Sequence, residues 1–204
     1  MKFKTVDQVV ICGRKRSGKS KYLKNLCYHI PEFILFDYHH EHSELGHVCR
    51  YPEKIPELWV SGVRKIVFYP TYRNEDELEE ICEIAKGLRN LVLIVEEADC
   101  VLGGDPRHPM RRHFRDIVHT GSGHYGIGLI CITRRLANLN SDIISQTNWI
   151  VFFKQTSKAD LKRLEEECGE EARKIETKPS YHFGEFSGET GQVIFYRPLK
   201  GELL

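Results

Sequence analysis

Eight residues near the beginning of the chain have the types and the spacing of a phosphate-binding loop. The stretch GRKRSGKS matches the pattern GxxxxGK[ST] and directly follows the apolar stretch VDQVVIC. In such a loop the glycines let backbone N–H groups close on phosphate oxygens, the lysine reaches the β and γ phosphates, and the last hydroxyl binds Mg²⁺. We therefore predict a site for ATP and Mg²⁺, rather than a surface turn rich in Gly and Lys. The predicted nucleotide-binding residues are Gly13, Arg14, Lys15, Arg16, Ser17, Gly18, Lys19 and Ser20, with the Ser20 hydroxyl as a metal ligand.

Two carboxylates follow the apolar stretch LVLIV. In a phosphate-loop fold, an acidic residue at this position holds Mg²⁺, and we assign that part to Glu96, acting through water. Glu97 is then placed to polarise the attacking water as a general base. A pair of solvated carboxylates at a strand end is the alternative. An acidic residue directly after the metal carboxylate is typical of NTPases that activate water, so hydrolysis is favoured over phosphoryl transfer to a small molecule.

A third candidate lies at the end of the stretch GIGLICITRR. There, Thr133, Arg134 and Arg135 follow an apolar strand. A polar residue at this strand end can contact the γ phosphate or the attacking water, and Arg134 occupies that sensor position. An arginine offered to a nucleotide on a neighbouring subunit could neutralise charge in the transition state. The alternative is a core strand with a solvated basic end.

The elements that must position these residues alternate between strands and helices. Short apolar runs predict buried strands, whereas the patterns between them have helical periodicity. The clearest helix runs from Glu75 to Leu88 behind a capping box of Asn74 and Glu77, and another begins near Ser157 and stops at Gly169. The predicted strands are Gln8 to Cys12, Phe33 to Asp37, Lys65 to Tyr69, Leu91 to Glu96, Gly128 to Thr133 and Trp149 to Phe153.

The pattern changes after Lys178. The stretches YHFGEFS and QVIFYRP flank the turn-rich GET and predict a β-hairpin. The fold class is therefore α/β: a P-loop NTPase with a mainly parallel central sheet, flanking helices and a C-terminal β-hairpin. We expect a single ATPase domain over residues 1–204, with the hairpin at 178–198 as an appendage.

Composition predicts a globular protein that is not exported across a membrane after its synthesis. The chain has 204 residues, of which 41% are hydrophobic and 29% charged, and its net charge is +1. No apolar run approaches the roughly 20 residues that span a bilayer, and no signal-peptide pattern is present. The seven cysteines form no CxxC pair, which favours free thiols.

The order of these stretches resembles the FtsK/HerA superfamily of DNA-pumping ATPases. GRKRSGKS, FILFDYHHEH, LVLIVEEAD and HYGIGLICITRRLANLNSDIISQTNWIVFF follow each other as in that superfamily, over about residues 6–196. The short chain is most similar to the genome-packaging ATPases of membrane-containing icosahedral viruses, in particular archaeal turreted viruses. Asp37 and Glu41 match an Asp-x-x-x-Glu pattern of HerA-like members. Glu96 replaces the usual Asp, and Arg134 replaces a sensor Gln.

The resemblance implies a homo-oligomeric ring of five or six subunits, with nucleotide sites between neighbours and double-stranded DNA in the channel. It also implies capsid or portal-vertex partners and a location in the host cytoplasm or at the packaging vertex. Each site would take an arginine from the next subunit, and Arg135 is the favoured candidate. The full set of candidates is Arg73, Arg89, Arg111, Arg112, Arg115 and Arg135.

The most basic stretch of the chain, PRHPMRRHFRDIVHTGSGHYG, offers candidate DNA contacts. A helix from Pro109 to His119 would place Arg112 and Arg115 on its polar face, with Arg111 beside them, and the glycines beyond it would allow a mobile loop. Contacts of this kind bind backbone phosphates and depend strongly on salt. An amphipathic helix with a solvated polar face is the alternative for any single arginine.

Histidines are concentrated after the second strand. His39, His40, His42, His47 and Cys49 are of zinc-ligand types, but their spacing matches no closed zinc site. We expect a polar loop near the nucleotide or the subunit interface instead.

The leading hypothesis is an ATP-driven translocase that packages viral double-stranded DNA. A HerA-like cellular DNA pump or helicase is the alternative within the same fold. A P-loop small-molecule kinase is a less favoured alternative, and a nucleotide-binding module without hydrolysis is the least favoured.

Overall fold

Short runs of β-branched and aromatic residues form the strands of one sheet. The computed structural model describes residues 3–199, and within them nine strands are hydrogen-bonded side by side. Such residues pack well on a pleated surface that is covered on both faces. The strands are β1 (Gln8–Cys12), β2 (Phe33–Phe36), β3 (His47–Cys49), β4 (Lys65–Phe68), β5 (Val92–Val95), β6 (Gly128–Thr133), β7 (Trp149–Phe153), β8 (Phe183–Ser187) and β9 (Val193–Tyr196).

The strand order across the sheet is β3-β4-β2-β5-β6-β1-β7-β8-β9. Neighbours from β3 to β7 are parallel, whereas β7, β8 and β9 pair in antiparallel fashion. The mainly parallel sheet and the C-terminal hairpin are thus confirmed, and β3 is an edge strand that the sequence did not predict. Because parallel strands end at the same edge, the residues that follow β1, β5 and β6 meet there.

Helices connect the parallel strands and cover both faces of the sheet. They are α1 (Lys19–His29), α2 (Ile55–Val60), α3 (Glu75–Leu88), α4 (Ala98–Val101), α5 (Arg112–Thr120), α6 (Ser141–Ser145) and α7 (Lys158–Cys168). On one face, buried side chains of α3, α5 and α7 pack on residues such as Val10 and Cys12. On the other, α1 packs on residues such as Val9 and Ile11. The alternation along β1 therefore divides the core into two layers.

Asn74 caps the first turn of α3, and acidic side chains of α3 hold the chain before that helix and the start of α5. The Asn74 carboxamide accepts a hydrogen bond from the Glu77 N–H at 3.1 Å, as the capping pattern predicts. The Glu77 carboxylate accepts instead from the N–H groups of residues 71–73. Glu79 accepts from the N–H groups of His113 and Phe114 at 2.7 and 3.0 Å, which stabilises the start of α5 from outside that helix.

The basic segment differs from its prediction in two ways. Helix α5 begins at Arg112 rather than Pro109, because Arg111 has an extended backbone and Met110 buries its side chain in the core before the helix starts. Beyond α5, the predicted mobile loop is a π-helical turn, Gly121–Tyr125, and Gly128 is already the first residue of β6. The glycines thus serve a tight connection into the sheet.

Two expectations from composition can be compared with the structure. All seven cysteines are free thiols, and all but Cys100 are buried. Burial raises the pKa of the Cys12 and Cys131 thiols to about 12, which keeps them protonated and unreactive.

Among residues 3–199, none of the helices has the length and apolar character needed to cross a bilayer.

Candidate nucleotide site

The phosphate-loop sequence lies where β1 ends and α1 begins. Gly13 has φ +154° and Gly18 has φ +117°, conformations that L side chains rarely adopt. A Cβ on Gly13 would also lie only 2.6 Å from the Cβ of Phe153 on β7. Both the turn and the close approach of the neighbouring strand therefore require glycine. Between the glycines, the side chains of Arg14, Lys15 and Arg16 are exposed.

Lys19 is the first residue of α1 and lies under this loop. Its ammonium group donates to the carbonyl oxygens of Gly13 at 2.6 Å and Arg14 at 3.2 Å. Burial lowers the pKa of Lys19, although the nearby Glu97 carboxylate opposes that shift. The N–H groups at the start of α1 and this ammonium group together make the loop a site for an anion such as phosphate.

Glu96 directly follows β5 and is buried, with 5% of its surface exposed. Its Oε1 lies 3.2 Å from Nε2 of His42, and its Oε2 accepts from the His39 N–H at 3.4 Å. Burial by itself raises the pKa of a carboxyl group, but the hydrogen bond and charge of His42 hold the pKa of Glu96 below its ordinary value. Glu96 is therefore a carboxylate at neutral pH, which suits a ligand for a hard cation.

Glu97 has a strained backbone and a half-satisfied side chain. Its φ of +50° and ψ of +44° are left-handed, which is uncommon outside glycine and is found repeatedly at functional sites. Its Oε1 accepts from Arg134 Nε at 2.8 Å, whereas the buried Oε2 has no hydrogen-bond partner among the described residues. Burial raises the pKa of Glu97 even though Arg134 opposes the shift. A buried carboxylate oxygen of raised basicity is suited to accept a proton.

Arg134 links Glu97, one of the acidic pair Glu96 and Glu97, to His39 in the segment after β2. It follows β6, which lies between β1 and β5, so its guanidinium faces both the phosphate loop and the carboxylates. Besides the ion pair with Glu97, its NH2 lies 2.6 Å from Nε2 of His39. The preceding Thr133 turns inward and accepts the Arg135 N–H through its hydroxyl at 3.0 Å.

Residues 37–42, the histidine segment after β2, form part of this site. The sequence predicted only a polar loop near the nucleotide or the subunit interface. The Asp37 carboxylate accepts from the N–H groups of Glu41 at 3.2 Å and His42 at 2.8 Å and thereby folds the segment back on β5. Ligand atoms of Asp37, His42 and Glu96 lie within 4.8 Å of one another. Burial raises the pKa of Asp37. The sequence held two clues to this arrangement, the pattern Asp37-x-x-x-Glu41 and the expected polar loop near the nucleotide.

Not all of the histidines reach the acidic pair. His40 stacks on Tyr69 with ring centroids 4.3 Å apart, and His47 and Cys49 belong to the edge strand β3. The structure therefore divides the cluster between two places rather than gathering it around one ion.

These side chains line one cleft of about 190 Å³ at the carboxyl edge of the sheet. It lies between the phosphate loop on one side and the acidic pair with the histidine segment on the other. Its lining residues are Lys15, Arg16, Lys19, Ser20, Leu23, His39, Glu41, His42, Glu96, Glu97, Ile132 and Arg134. The cleft brings together Lys19, Ser20, Glu96, Glu97 and Arg134, which are far apart in the sequence.

The other predicted arginines lie outside this cleft. Arg135 Nε forms an ion pair with the buried Asp160 at 2.8 Å, while its own side chain remains 47% exposed. Arg111 pairs with Asp76 at 2.6 Å. Arg112 and Arg115 are exposed on α5 and have no ion pair among the described residues.

Two further arginines named as candidates are engaged within the chain. Arg89 NH2 donates to the His124 carbonyl oxygen at 2.8 Å. The guanidinium of Arg73 lies 5.7 Å from the centroid of the Tyr38 ring.

Comparison with known proteins shows similarity in fold. No protein-family model and no curated protein sequence matches the chain. The genome packaging NTPase B204 from Sulfolobus turreted icosahedral virus 2, solved in complex with AMPPCP, is 23% identical and superposes with a TM-score of 0.83, over 97% of this chain and 100% of that one. B204, the DNA-packaging ATPase from Sulfolobus turreted icosahedral virus, is 25% identical with a TM-score of 0.81 over the same shares.

A third solved structure has the same fold at lower sequence identity. VirB4 of Thermoanaerobacter pseudethanolicus is 11% identical and superposes with a TM-score of 0.68, over 96% of this chain and 90% of that one. The likeness to the B204 structures includes the C-terminal hairpin, since it extends over nearly the whole chain. The chain therefore has the P-loop NTPase fold of the B204 proteins, and VirB4 shares that fold at lower similarity.

Proposed function

We propose that this protein hydrolyses ATP and uses the free energy to move double-stranded DNA into a viral capsid. The observation that carries the proposal is the position of Glu97, which lines the same cleft as Lys19 of the phosphate loop and whose Oε2 has no hydrogen-bond partner among the described residues. Small-molecule kinases usually lack an acidic residue directly after the metal carboxylate, so Glu97 favours hydrolysis. The similar B204 proteins are described as a genome packaging NTPase and a DNA-packaging ATPase, which supports the same activity.

The residues of the cleft account for hydrolysis as follows. The loop N–H groups and Lys19 bind the β and γ phosphates, which fixes the γ phosphorus at the end of the cleft near Glu97. Arg134 holds Oε1 of Glu97, so that Oε2 can accept a proton from water as the water oxygen attacks the γ phosphorus. The bond from the γ phosphorus to the bridging oxygen breaks, and ADP and phosphate result. The Arg134 guanidinium adds positive charge where negative charge develops.

The chain also offers suitable ligands for Mg²⁺. Ser20 supplies a hydroxyl and Glu96 an ionised carboxylate on opposite sides of the same cleft, and oxygen ligands of this kind suit Mg²⁺. When bound, the ion would neutralise charge on the phosphates. His42 would keep Glu96 oriented toward it.

The larger assembly is part of the same proposal. A ring of five or six copies would place DNA in a central channel, and capsid or portal-vertex proteins would hold the ring at the vertex in the host cytoplasm. Arg135 is held by its ion pair with Asp160, but about half of its side chain is exposed. It can therefore reach the nucleotide of a neighbouring subunit, which supports it as the arginine that one subunit supplies to the next. Arg112 and Arg115 are available to DNA phosphates.

The test is the ATPase rate with and without long duplex DNA, together with the molecular mass of the protein on that DNA. A DNA-driven motor is stimulated by the duplex and forms a multimer on it. Hydrolysis that ignores DNA, with a monomer at every DNA length, would reject the motor. Turnover that appears only when a small phosphoacceptor is added would point to a kinase instead.

A further inference from the structure

The start of α4 brings three side chains of metal-ligand type together beside the nucleotide cleft. A carboxylate oxygen of Glu97, a carboxylate oxygen of Asp99 and the sulfur of Cys100 all lie within 4.8 Å of one another. Cys100 is exposed, whereas the other six cysteines are buried. Hydrolysis at the cleft, as proposed, uses neither Asp99 nor Cys100.

A single tight turn builds this cluster. The left-handed backbone of Glu97 bends the chain where β5 ends, and the Cys100 N–H donates to the Glu97 carbonyl oxygen at 2.8 Å. Side chains three positions apart on a helical turn are neighbours, so the thiol comes to lie beside the Glu97 carboxylate. The cluster therefore forms within four consecutive residues and follows directly from the strained backbone of Glu97.

Two buried oxygens of the cluster lack a partner. Glu97 and Asp99 each have only 5% of their surface exposed. Oε2 of Glu97 and Oδ1 of Asp99 have no hydrogen-bond partner among the described residues. Burying a charged oxygen without a partner is costly, and buried charges are normally paired or coordinate a metal ion. These two oxygens therefore indicate a ligand of positive charge.

We propose that Glu97, Asp99 and Cys100 bind a thiophilic divalent cation of the zinc class, and that the bound ion inhibits hydrolysis by occupying Oε2 of Glu97. The binding goes beyond the proposed function, whereas the inhibition rests on it, because it requires Glu97 to be the general base. A thiolate with carboxylates suits Zn²⁺, while Mg²⁺ prefers oxygen ligands alone. Zinc bonds of about 2.0 to 2.3 Å place tetrahedral ligand atoms about 3.3 to 3.8 Å apart, so small side-chain rotations complete the site.

The charges of the cluster match those of a divalent ion. Arg134 already neutralises Glu97 through its contact with Oε1 at 2.8 Å, which leaves Oε2 for the ion. Burial and the neighbouring Asp99 carboxylate raise the pKa of the Cys100 thiol, so the free thiol is protonated. When the ion binds, the S–H bond breaks, the sulfur electron pair forms the bond to zinc, and the proton passes to solvent. The Asp99 carboxylate and the Cys100 thiolate then balance the charge of the ion.

The test measures metal binding to the full chain in excess Mg²⁺ without nucleotide, with Zn²⁺ and Co²⁺ as probes. Co²⁺ bound to a thiolate gives a charge-transfer band in the near ultraviolet, and the unaltered protein should show this band. Cys100→Ala should lose the band. By titration calorimetry, Cys100→Ala, Asp99→Asn and Glu97→Gln should each bind Zn²⁺ at least about tenfold more weakly. Asp105→Asn is the matched control, because this exposed carboxylate lies outside the cluster, and it should bind Zn²⁺ normally.

A second measurement is the ATPase rate with and without Zn²⁺. Saturating Zn²⁺ should lower the rate of the unaltered protein by at least about tenfold, because it blocks the general base, and the same concentration should not inhibit Cys100→Ala. Absence of the cobalt–sulfur band, or normal Zn²⁺ affinity in any of the three ligand variants, would refute the metal site. The cobalt band needs no variant, so a folding defect in one of them would not block the test.

The two measurements also separate this proposal from the one on which its second half rests. If the three ligand variants lose Zn²⁺ affinity as expected while saturating Zn²⁺ leaves the ATPase rate of the unaltered protein unchanged, the metal site stands. In that case the role of Glu97 as general base is wrong. Binding is measured without nucleotide, so it stays informative whether or not the chain hydrolyses ATP.

Discussion

Replacing Glu97 by Gln tests the catalytic geometry most directly. The amide oxygen of Gln can still accept the Arg134 Nε hydrogen bond, which is 2.8 Å long, so the variant changes charge rather than shape. The left-handed backbone at this position is no harder for Gln than for Glu, and the strain is therefore matched. What the variant loses is the basic oxygen that takes the proton from water.

The expected effect is a large loss of turnover with ATP binding retained. A positioned general base contributes about 10²- to 10⁴-fold, so kcat should fall by that factor, which corresponds to about 2.7 to 5.4 kcal/mol in the activation free energy. The dissociation constant for ATP should stay the same or decrease, because one negative charge near the γ phosphate is removed. Single-turnover hydrolysis and equilibrium ATP binding measure the two effects separately.

The dependence of the rate on pH gives a second measurement on the same variant. A base must be unprotonated to act, so the rate of the unaltered enzyme should fall as the pH decreases through the pKa of Glu97. Burial raises that pKa, and the acid limb should therefore lie above the range of an ordinary glutamate. In Glu97→Gln this limb should disappear from whatever slow rate remains.

Asp99→Asn is the control for local charge, because the buried Asp99 carboxylate has an oxygen within 4.8 Å of one of Glu97 but Asp99 does not line the cleft. Its ATPase rate should remain within a few-fold of normal. Undiminished kcat in Glu97→Gln would refute the role of Glu97, and an equal loss in Asp99→Asn would show that local charge rather than proton transfer explains the effect.

Two other predictions follow from the loop and from α5. Gly13→Ala places a Cβ 2.6 Å from the Phe153 Cβ at a backbone φ of +154°. It should therefore weaken ATP binding by at least about tenfold and lower Tm. Gly87→Ala is the control, because its Cβ enters open space on a helix, and it should bind ATP normally. Calorimetry and thermal denaturation measure both, and normal binding by Gly13→Ala would contradict the close packing of the loop. Charge reversal of Arg112 and Arg115 together should weaken duplex binding at low salt and reduce the slope of log K against log [salt] by about one for each lost phosphate contact. An unchanged slope would remove α5 from the DNA surface.

Local patterns in the sequence identify much of this protein. The spacing of Gly13, Gly18, Lys19 and Ser20 predicts a phosphate loop because the conformation of a loop depends on a few adjacent residues. Apolar runs likewise predict the main strands to within about a residue, since each run is buried on both faces of the sheet. These features need no knowledge of distant contacts.

Short or irregular elements escaped the same reasoning. The edge strand β3 has only three residues and an exposed histidine, so its pattern is too weak to be recognised. The start of α5 was misplaced because its first N–H groups are satisfied by Glu79, which lies more than 30 residues earlier in the chain. Neither case has a local signature.

The composition of the site was decided by tertiary structure. Because β6 lies between β1 and β5, Arg134 reaches Glu97 across 37 positions of sequence, and the folded segment after β2 brings His42 to Glu96 across 54. The hairpin brings Tyr181 beside Gly18 in the same way. The sequence by itself therefore determined which groups could bind and hydrolyse a nucleotide. The order of the strands decided which of these groups meet. That order depends on contacts between residues far apart in the chain, which bury both faces of the sheet.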